Sequence, residues 1–291
     1  MGFQIATNTG ALKAYNALSS LNSKTEKAQL RLATQKRINS VADDTSGFNV
    51  GKSLDQKVKL MQSAQGNVGS AKDMLATAES QLISIKDMIT QIKAKQADAT
   101  NPAADKGAIA NDIKALADEI VNAFATTKFN DTSLLMTGSS ETSSSAFSFQ
   151  TGAASTDKLS VDYRSEFAGG DTVDSTSAVL KTSIATELEA MTALSSSSTE
   201  SDITSLDFGD LETAVDNSLG QIGNYTQRLD AKDDFLTSAI ANSQASVSRL
   251  FDADMAMEQL NATKSSIGAQ SATSMLAQLN FAPQQVLQLL G

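Results

Sequence analysis

Apolar residues recur at intervals of three and four along both ends of the chain, and a polar segment separates the two ends. The C-terminal series consists of Val215, Leu219, Ile222, Leu229, Leu236, Ile240, Val247, Leu250 and Met257. Matching series occupy residues 11–32 and 61–92 of the N-terminal region. Stripes with this spacing are typical of helices that pack along a seam, and a single helix with such a stripe needs a partner. The pattern therefore predicts long helices from both chain ends that pack together.

Turn-forming residues divide the chain into individual predicted elements. We predict a first helix over residues 10–33, a polar turn over 39–47, a second helix over 54–97 and a third from about residue 105. Residues 147–150 and 159–163 alternate apolar and polar positions, which predicts a small β-hairpin. The predicted fold is mainly α with a small β part: a long antiparallel helical bundle or coiled coil formed by both chain ends, with a β-hairpin and a short, variable outer segment.

Residues 138–210 differ from both arms because they are rich in Ser and Thr and hold twelve acidic residues against three basic ones. The whole chain has a net charge of −10, so the two arms are almost neutral. We expect residues 169–200 to be mobile and exposed, although Leu180, Ile184, Leu188 and Met191 are spaced for a short helix. A clustered basic face, which nucleic-acid binding requires, is missing from the sequence.

The composition argues against several classes of function. The 291 residues include no Cys and no His, so the chain lacks disulfides and the commonest neutral-pH acid–base residue and metal ligand. The carboxylate pairs at 43–44 and at 252 and 254 lack the rest of a calcium loop, and we expect them to cap turns. No apolar run approaches the roughly 20 residues of a membrane span, and the N-terminus has no signal-peptide pattern. We expect no enzyme activity, cofactor, metal, nucleic-acid partner or membrane insertion.

Four motifs, in order along the chain, resemble those of one protein family. Residues 37–47 resemble the N-terminal signature of bacterial flagellins, Phe129-Asn130 resembles the turn after their third helix, and residues 248–256 and 280–290 resemble their two C-terminal segments. The residues that carry the signatures are Arg37, Asn39, Asp43, Asp44, Gly47, Phe129, Asn130, Arg249, Asp252 and Asp254. The sequence departs from the family at Thr34-Gln35 and at Gly291, outside the apolar stripes.

The resemblance implies a structural subunit that polymerises with copies of itself into the extracellular flagellar filament for swimming motility. It implies five segments: an N-terminal inner-tube helix (1–40), the N-terminal part of a helical rod (41–137), a β-hairpin plus a Ser/Thr-rich acidic outer segment (138–210), the C-terminal part of the rod (211–253) and a C-terminal inner-tube helix (254–291). The stripes of the middle helices are better explained by an intramolecular core, and those of the termini by contacts between subunits. The expected polymerisation residues are Leu12, Leu18, Leu21, Leu260, Ile267, Leu276, Leu279, Phe281, Val286, Leu287 and Leu290.

The same resemblance implies partners and leaves one alternative. It implies secretion by the flagellar export apparatus with a flagellin export chaperone, and contacts with the filament cap and hook-associated proteins. The alternative is a hook–filament junction protein, which resembles flagellin at both ends but forms no long polymer. Some flagellins are sensed by an innate receptor, and alignment from Phe129-Asn130 places that surface at Met88, Ile92 and Asp112. Met88 replaces the arginine of those flagellins, so we predict weak recognition.

Overall fold

The computed structural model describes residues 9–135, 137–138, 146–167, 171–172 and 178–290, and it confirms a mainly helical fold with small antiparallel sheets. The helices are α1 (Thr9–Thr34), α2 (Thr45–Ala99), α3 (Lys106–Thr126), α4 (Thr182–Thr192), α5 (Glu200–Thr204), α6 (Gly209–Phe251) and α7 (Met255–Leu290). The strands are β1 (Lys128–Phe129), β2 (Thr132–Ser133), β3 (Thr137–Gly138), β4 (Phe147–Gln150), β5 (Lys158–Val161), β6 (Asp171–Thr172) and β7 (Ala178–Leu180). The chain divides into two compact units, one formed by residues up to 58 and from 241, the other by residues 59–240.

The terminal unit contains α1 and α7, which pack against each other along much of their length. The two helices run antiparallel: Arg31 near the end of α1 meets Glu258 near the start of α7, whereas Leu21 lies beside Gly268 further along. Beyond the helix ends, Lys36 and Asp252 form an antiparallel backbone bridge. The predicted packing of the two chain ends is therefore confirmed.

Helix α2 begins at Thr45, nine residues before the predicted start, so the predicted boundary is wrong. The physical reason is a cap: Oδ1 of Asp44 accepts a hydrogen bond from the backbone N–H of Gly47 at 2.8 Å. The polar residues 39–47 were predicted to form one long turn. In the structure the turn ends at Asp44, and the helix already begins at Thr45. The first part of α2 belongs to the terminal unit together with the end of α6.

The central unit is built on the remaining parts of α2 and α6, with α3 beside them. The fully buried residues of these helices recur at the predicted spacing of three and four, and they include Val68, Leu75, Leu82, Ile85, Ile89, Ile113, Ile120, Phe124, Leu211, Val215, Ile222 and Leu229. Ion pairs between α2 and α6 follow an antiparallel register, because Lys72 meets Asp230 at 2.8 Å and Lys86 meets Asp216. Exposed pairs such as these contribute little energy individually, and the buried stripes hold the helices together.

Short strands pair into small antiparallel sheets. Strands β4 and β5 pair antiparallel from Phe147 opposite Val161 to Gln150 opposite Lys158, which confirms the predicted hairpin. Strands β1 and β2 are joined by Asn130 and Asp131 with positive φ angles of 48° and 62°, and these residue types tolerate that conformation in tight hairpin turns. A third sheet has the strand order β3-β7-β6.

The expectation of an exposed segment at 169–200 is wrong for helix α4, whereas most of residues 195–200 are exposed as expected. Leu180, which was predicted to share this helix, lies in β7 instead. Helix α4 packs against α3 and buries Ile184, Leu188 and Met191. The Ser- and Thr-rich residues after it form turns, and the hydroxyl of Thr199 forms a capping box with Asp202 at the start of α5. Ser and Thr are thus used as caps and turn formers here, while the apolar spacing determines the packing.

Candidate functional site

The acidic side chains of the described residues do not gather into a metal centre. Among the ranges that the structure describes, no three His, Cys, Asp or Glu side chains come together in a way that suits a metal ion. Within the same ranges, none of the helices is both long and apolar enough to cross a membrane. The most unusual surface of the terminal unit is instead apolar, and it lies on α1 and α7.

The contact between α1 and α7 uses small residues and one ion pair. Ala28 of α1 and Ala262 of α7 are both buried. A Cβ atom added at Gly268 would lie 3.2 Å from Cδ2 of Leu21, so the glycine allows α1 to approach closely. The guanidinium of Arg31 donates to Oε1 of Glu258 at 3.1 Å, and Glu258 itself is buried. This contact fixes which sides of the two helices remain free.

Helix α7 exposes a row of large apolar side chains. Met257, Leu260, Ile267 and Met275 are 55%, 62%, 57% and 58% exposed, respectively. At 100° per residue, these four positions fall within an arc of about 80° on α7, beside the side that faces α1. We call this set the α7 stripe. Isolated exposed apolar residues are ordinary, but four of them on one helical face indicate a surface that binds another protein.

Helix α1 exposes a second group of apolar side chains on the side that faces away from α7. Leu12, Tyr15 and Leu30 are 58%, 61% and 51% exposed. Leu12 and Leu30 are separated by 18 residues, or five full turns, and Tyr15 lies about 60° from them. All three are far around the helix from Ala28, which faces α7. We call this set the α1 face, and it is distinct from the α7 stripe.

The predicted polymerisation residues fall into three groups. Leu12, Leu260 and Ile267 are exposed on the two surfaces just defined, whereas Leu18, Leu21, Leu276 and Leu279 are half-buried. The side chains of Phe281, Val286, Leu287 and Leu290 lie outside the described residues, although the backbone there continues α7. Sequence reasoning omitted Tyr15, Leu30, Met257 and Met275, which share faces with predicted residues. The helical period is the signal that finds them, because Leu30 lies five full turns from Leu12, and each of the others lies within about 60° of Leu12 or Leu260.

The family-signature residues join the ends of the terminal helices. The backbone N–H of Arg37 donates to the carbonyl of Phe251 at 2.6 Å, and its guanidinium donates to the carbonyl of Leu250 at 3.1 Å. Two residues further along the C-terminal segment, the N–H of Ala253 donates to the carbonyl of Gln35 at 3.0 Å. Gln35 has a positive φ of 58°. The segment between α1 and α2 is therefore bonded to the segment between α6 and α7.

The acidic signature residues of the first turn are hydrogen-bond acceptors. Oδ2 of Asp43 accepts from the backbone N–H groups of Asn39 at 3.2 Å and Ser40 at 3.1 Å. The N–H of Asn39 is the largest influence, and together with Ser40 and Lys27 it holds the pKa of Asp43 below its ordinary value, against the opposing effect of burial. The side chain of Asn39 in turn donates to the carbonyl of Lys36 at 3.0 Å.

The C-terminal signature has the same local role. Oδ1 of Asp254 accepts from the N–H groups of Ala256 and Met257 at 3.0 and 3.1 Å, which caps the start of α7. The hydroxyl of Ser248 donates to the carboxylate of Asp252 at the end of α6. Nε of Arg249 donates to the carbonyl of Ala245 at 3.3 Å within α6. These contacts shape the connection between the two helices.

The three positions aligned with a receptor surface have different environments. Asp112 is exposed and meets Nζ of Lys95 at 2.7 Å, and Met88 is half-buried. Ile92 is only 1% exposed, because it lies on the buried stripe of α2. The prediction that Ile92 contributes to an exposed recognition surface is therefore wrong for this chain.

A helical hairpin made from both chain ends, with two separate apolar faces left uncovered, defines a self-associating helical structural protein. Residues 5–140 match the family described as bacterial flagellin N-terminal helical region, and residues 207–290 match the bacterial flagellin C-terminal helical region. The two matches cover about three quarters of the chain. The chain therefore belongs to the bacterial flagellins, the structural subunits of flagellar filaments.

Relatives of similar length support this membership. The chain is 29% identical to the flagellin of Bacillus subtilis (strain 168) over 304 residues, with 99% of both chains covered. It is 28% identical to the flagellin of Listeria monocytogenes over 297 residues, again with 99% of both covered. It is also 29% identical to the flagellar filament 33 kDa core protein of Treponema phagedenis over 297 residues, which covers 97% of this chain and 98% of that protein.

Proposed function

We propose that this flagellin polymerises through the α7 stripe and the α1 face, which bind different neighbouring copies. The observation that carries the proposal is the exposure of seven large apolar side chains on two distinct faces of the terminal unit. A closed two-fold dimer would use one self-complementary patch, whereas two non-equivalent faces suit head-to-tail contacts that continue without closing. Burying them removes apolar surface from water and drives assembly.

The five segments take their roles from this arrangement. We assign residues 1–40 and 254–291 to the inner tube of the filament, residues 41–137 and 211–253 to the surrounding helical rod, and residues 138–210 to the outer part. The assignment is supported by the uncovered apolar side chains of α1 and α7 and by the buried stripes of the central unit. It includes the four predicted polymerisation residues after residue 280, Phe281, Val286, Leu287 and Leu290, as expectations from the family resemblance.

The remaining parts of the proposal follow from membership of the flagellin family. We assign the chain to the extracellular flagellum, reached through the flagellar export apparatus with an export chaperone, and to contacts with the filament cap and hook-associated proteins. Its role is structural rather than enzymatic, in keeping with a family of structural proteins. No observation favours the hook–filament junction alternative, which would also predict short rather than long polymers.

The test is polymerisation from short filament seeds, followed by electron microscopy and by measurement of the critical concentration. The variant Leu260→Glu/Ile267→Glu places two carboxylates in the α7 stripe. The matched control Gln259→Glu/Ser266→Glu adds the same charge at exposed positions one residue away, on the other side of α7. We expect the stripe variant to raise the critical concentration at least tenfold, because burying an unpaired carboxylate is strongly unfavourable. The control should stay within about threefold of the unmodified chain. Equal effects of the two variants would contradict the proposed interface.

A further inference from the structure

Among the methionines that the structure describes, the most exposed ones lie on the last helix. The chain has nine Met residues and no Cys, Trp or His, so methionine sulfur is its main target for mild oxidants. In the part of the chain that the structure describes, Met61, Met74 and Met191 are at most 4% exposed. The methionines at 255, 257 and 275 of α7 are instead 42%, 55% and 58% exposed. Met88 is half-buried, so among the described methionines those of α7 are the most accessible to a dissolved oxidant.

Two of these methionines belong to the proposed assembly surface and the third does not. Met257 and Met275 are separated by 18 residues, or five full turns, so they lie on the same face of α7 within the α7 stripe. Met255 lies about 160° around the helix from them. Met255 is therefore an internal control for Met257 and Met275. All three are exposed on one helix, but only Met257 and Met275 would be covered when the α7 stripe is buried.

We propose that Met257 and Met275 are a peroxide-sensitive modification site that controls polymerisation of the subunit. The sulfur of each methionine attacks one oxygen of a peroxide, the O–O bond breaks, and the other oxygen leaves as water or as an alcohol. The sulfur loses two electrons and becomes a sulfoxide, while the peroxide is reduced. The modification rests on the proposed function, because it affects assembly only if the α7 stripe is buried between copies.

The sulfoxide changes the surface in a way that opposes assembly. An unbranched apolar side chain becomes polar and carries an oxygen that accepts hydrogen bonds from water. Burying that oxygen without a donor is unfavourable, so oxidised subunits should join filaments poorly. In an assembled filament the same sulfur atoms are covered and should react slowly. Oxidation therefore acts on free subunits, and assembly protects against it.

The first experiment is a residue-resolved footprint with hydrogen peroxide on free subunits and on filaments, read by mass spectrometry of peptides. In free subunits we expect sulfoxide at Met255, Met257 and Met275, with Met61 and Met191 unreacted as buried controls. In filaments we expect the oxidation rates of Met257 and Met275 to fall at least tenfold. Unchanged rates at both positions in filaments would overturn the inference.

The second experiment measures the critical concentration of peroxide-treated subunits. We expect oxidation to raise it at least tenfold, which corresponds to about 1.4 kcal/mol. The variant Met257→Leu/Met275→Leu should show the same critical concentration with and without peroxide treatment, whereas the critical concentration of Met255→Leu should still rise on treatment. Treatment with methionine sulfoxide reductase and a dithiol should restore the unmodified chain. Circular dichroism before and after oxidation checks that the helices persist.

The outcomes separate this inference from the proposed function. If oxidised subunits polymerise normally while Leu260→Glu/Ile267→Glu subunits do not, the interface stands and the oxidation site is refuted. If the Met257→Leu/Met275→Leu variant is inhibited by peroxide as strongly as the unmodified chain, another residue is responsible and the inference is also refuted. If both the carboxylate variant and the oxidised chain polymerise normally, both proposals are wrong.

Discussion

Gly51 is the position where one added methyl group should disturb the terminal unit most. A Cβ atom at Gly51 would lie 2.6 Å from Cζ and 2.8 Å from Cδ2 of Phe251, well inside the roughly 3.5–4.0 Å of ordinary carbon contacts. The ring of Phe251 is 7% exposed and packs edge-on against Phe48 with 6.2 Å between the ring centres. The ring cannot move away without breaking that contact.

The expected cost follows from two opposing effects. Overpacking a buried site typically costs about 1–3 kcal/mol, and the overlap here places Gly51→Ala at the upper end of that range. Alanine in a helix interior gains about 0.5–1 kcal/mol over glycine. The net result is a loss of about 2 kcal/mol in the free energy of unfolding. The carbonyl of Phe251 accepts from the N–H of Arg37, so displacement of Phe251 should also disturb the connection between the terminal helices.

The measurement is urea unfolding of the monomer followed by circular dichroism, with a glycine from the same helix as the control. Nothing lies within 4 Å of a Cβ atom added at Gly66, so Gly66→Ala should stabilise the protein by about 0.5–1 kcal/mol. A double-mutant cycle isolates the clash, because Gly51→Ala should be harmless once Phe251→Ala has removed the ring. The reasoning is refuted if Gly51→Ala is as stable as Gly66→Ala, or if its cost persists without the ring.

Three further substitutions test local contacts by the same unfolding measurement. Hydrogen bonds to the charged carboxylate, the one from Asn39 first, hold the folded pKa of Asp43 below its unfolded value of about 3.9. The stabilisation is therefore complete above the unfolded pKa and is lost as pH falls through the folded pKa. Asp43→Asn should cost about 1 kcal/mol at pH 7, and this cost should shrink as the pH is lowered below about 4. The buried hydroxyl of Tyr163 has no hydrogen-bond partner among the described residues, so Tyr163→Phe should be neutral or stabilising by up to about 1 kcal/mol, and a clear loss of stability would contradict this. Nε2 of Gln96 lies 3.0–3.1 Å from three backbone carbonyl oxygens at and after the end of α5, and its two hydrogens must be shared among them. Gln96→Lys supplies three hydrogens and a favourable charge at a helix C-terminus and should stabilise by about 0.5 kcal/mol; a destabilised variant would show that the longer side chain does not fit.

The sequence predicted the long helices well because their burial is periodic. Leu75, Leu82 and Ile89 repeat every seven residues, and that spacing specifies a packed seam whatever the partner helix is. The start of α2 was missed because Asp44 can end a turn or cap a helix, and composition alone does not distinguish the two. Helix α4 was undervalued for a related reason, since the Ser and Thr residues around it obscured three buried apolar positions.

The candidate site was predicted only in part. An apolar stripe in the sequence does not show which of its residues contact the other terminal helix of the same chain and which stay exposed. Leu21 and Leu260 belong to the same kind of apolar series, yet Leu21 lies against Gly268 while Leu260 is 62% exposed. That difference is determined by the register of α1 against α7, which the bond from Arg31 to Glu258 and the junction bond from Arg37 to Phe251 fix. Register depends on contacts between residues more than 200 positions apart, and no local pattern encodes it.

The distribution of charge between the two units favours association of one and solvation of the other. The terminal unit has ten basic and seven acidic residues, a net charge of +3, whereas the central unit has thirteen basic and twenty-six acidic residues, a net charge of −13. Copies of the terminal unit therefore meet with little electrostatic repulsion, and their exposed apolar faces can dominate the interaction. Copies of the central unit repel one another except where specific contacts hold them, which opposes unspecific aggregation. On the proposed assignment, the chain separates the surface that drives polymerisation from the surface that keeps the polymer in solution.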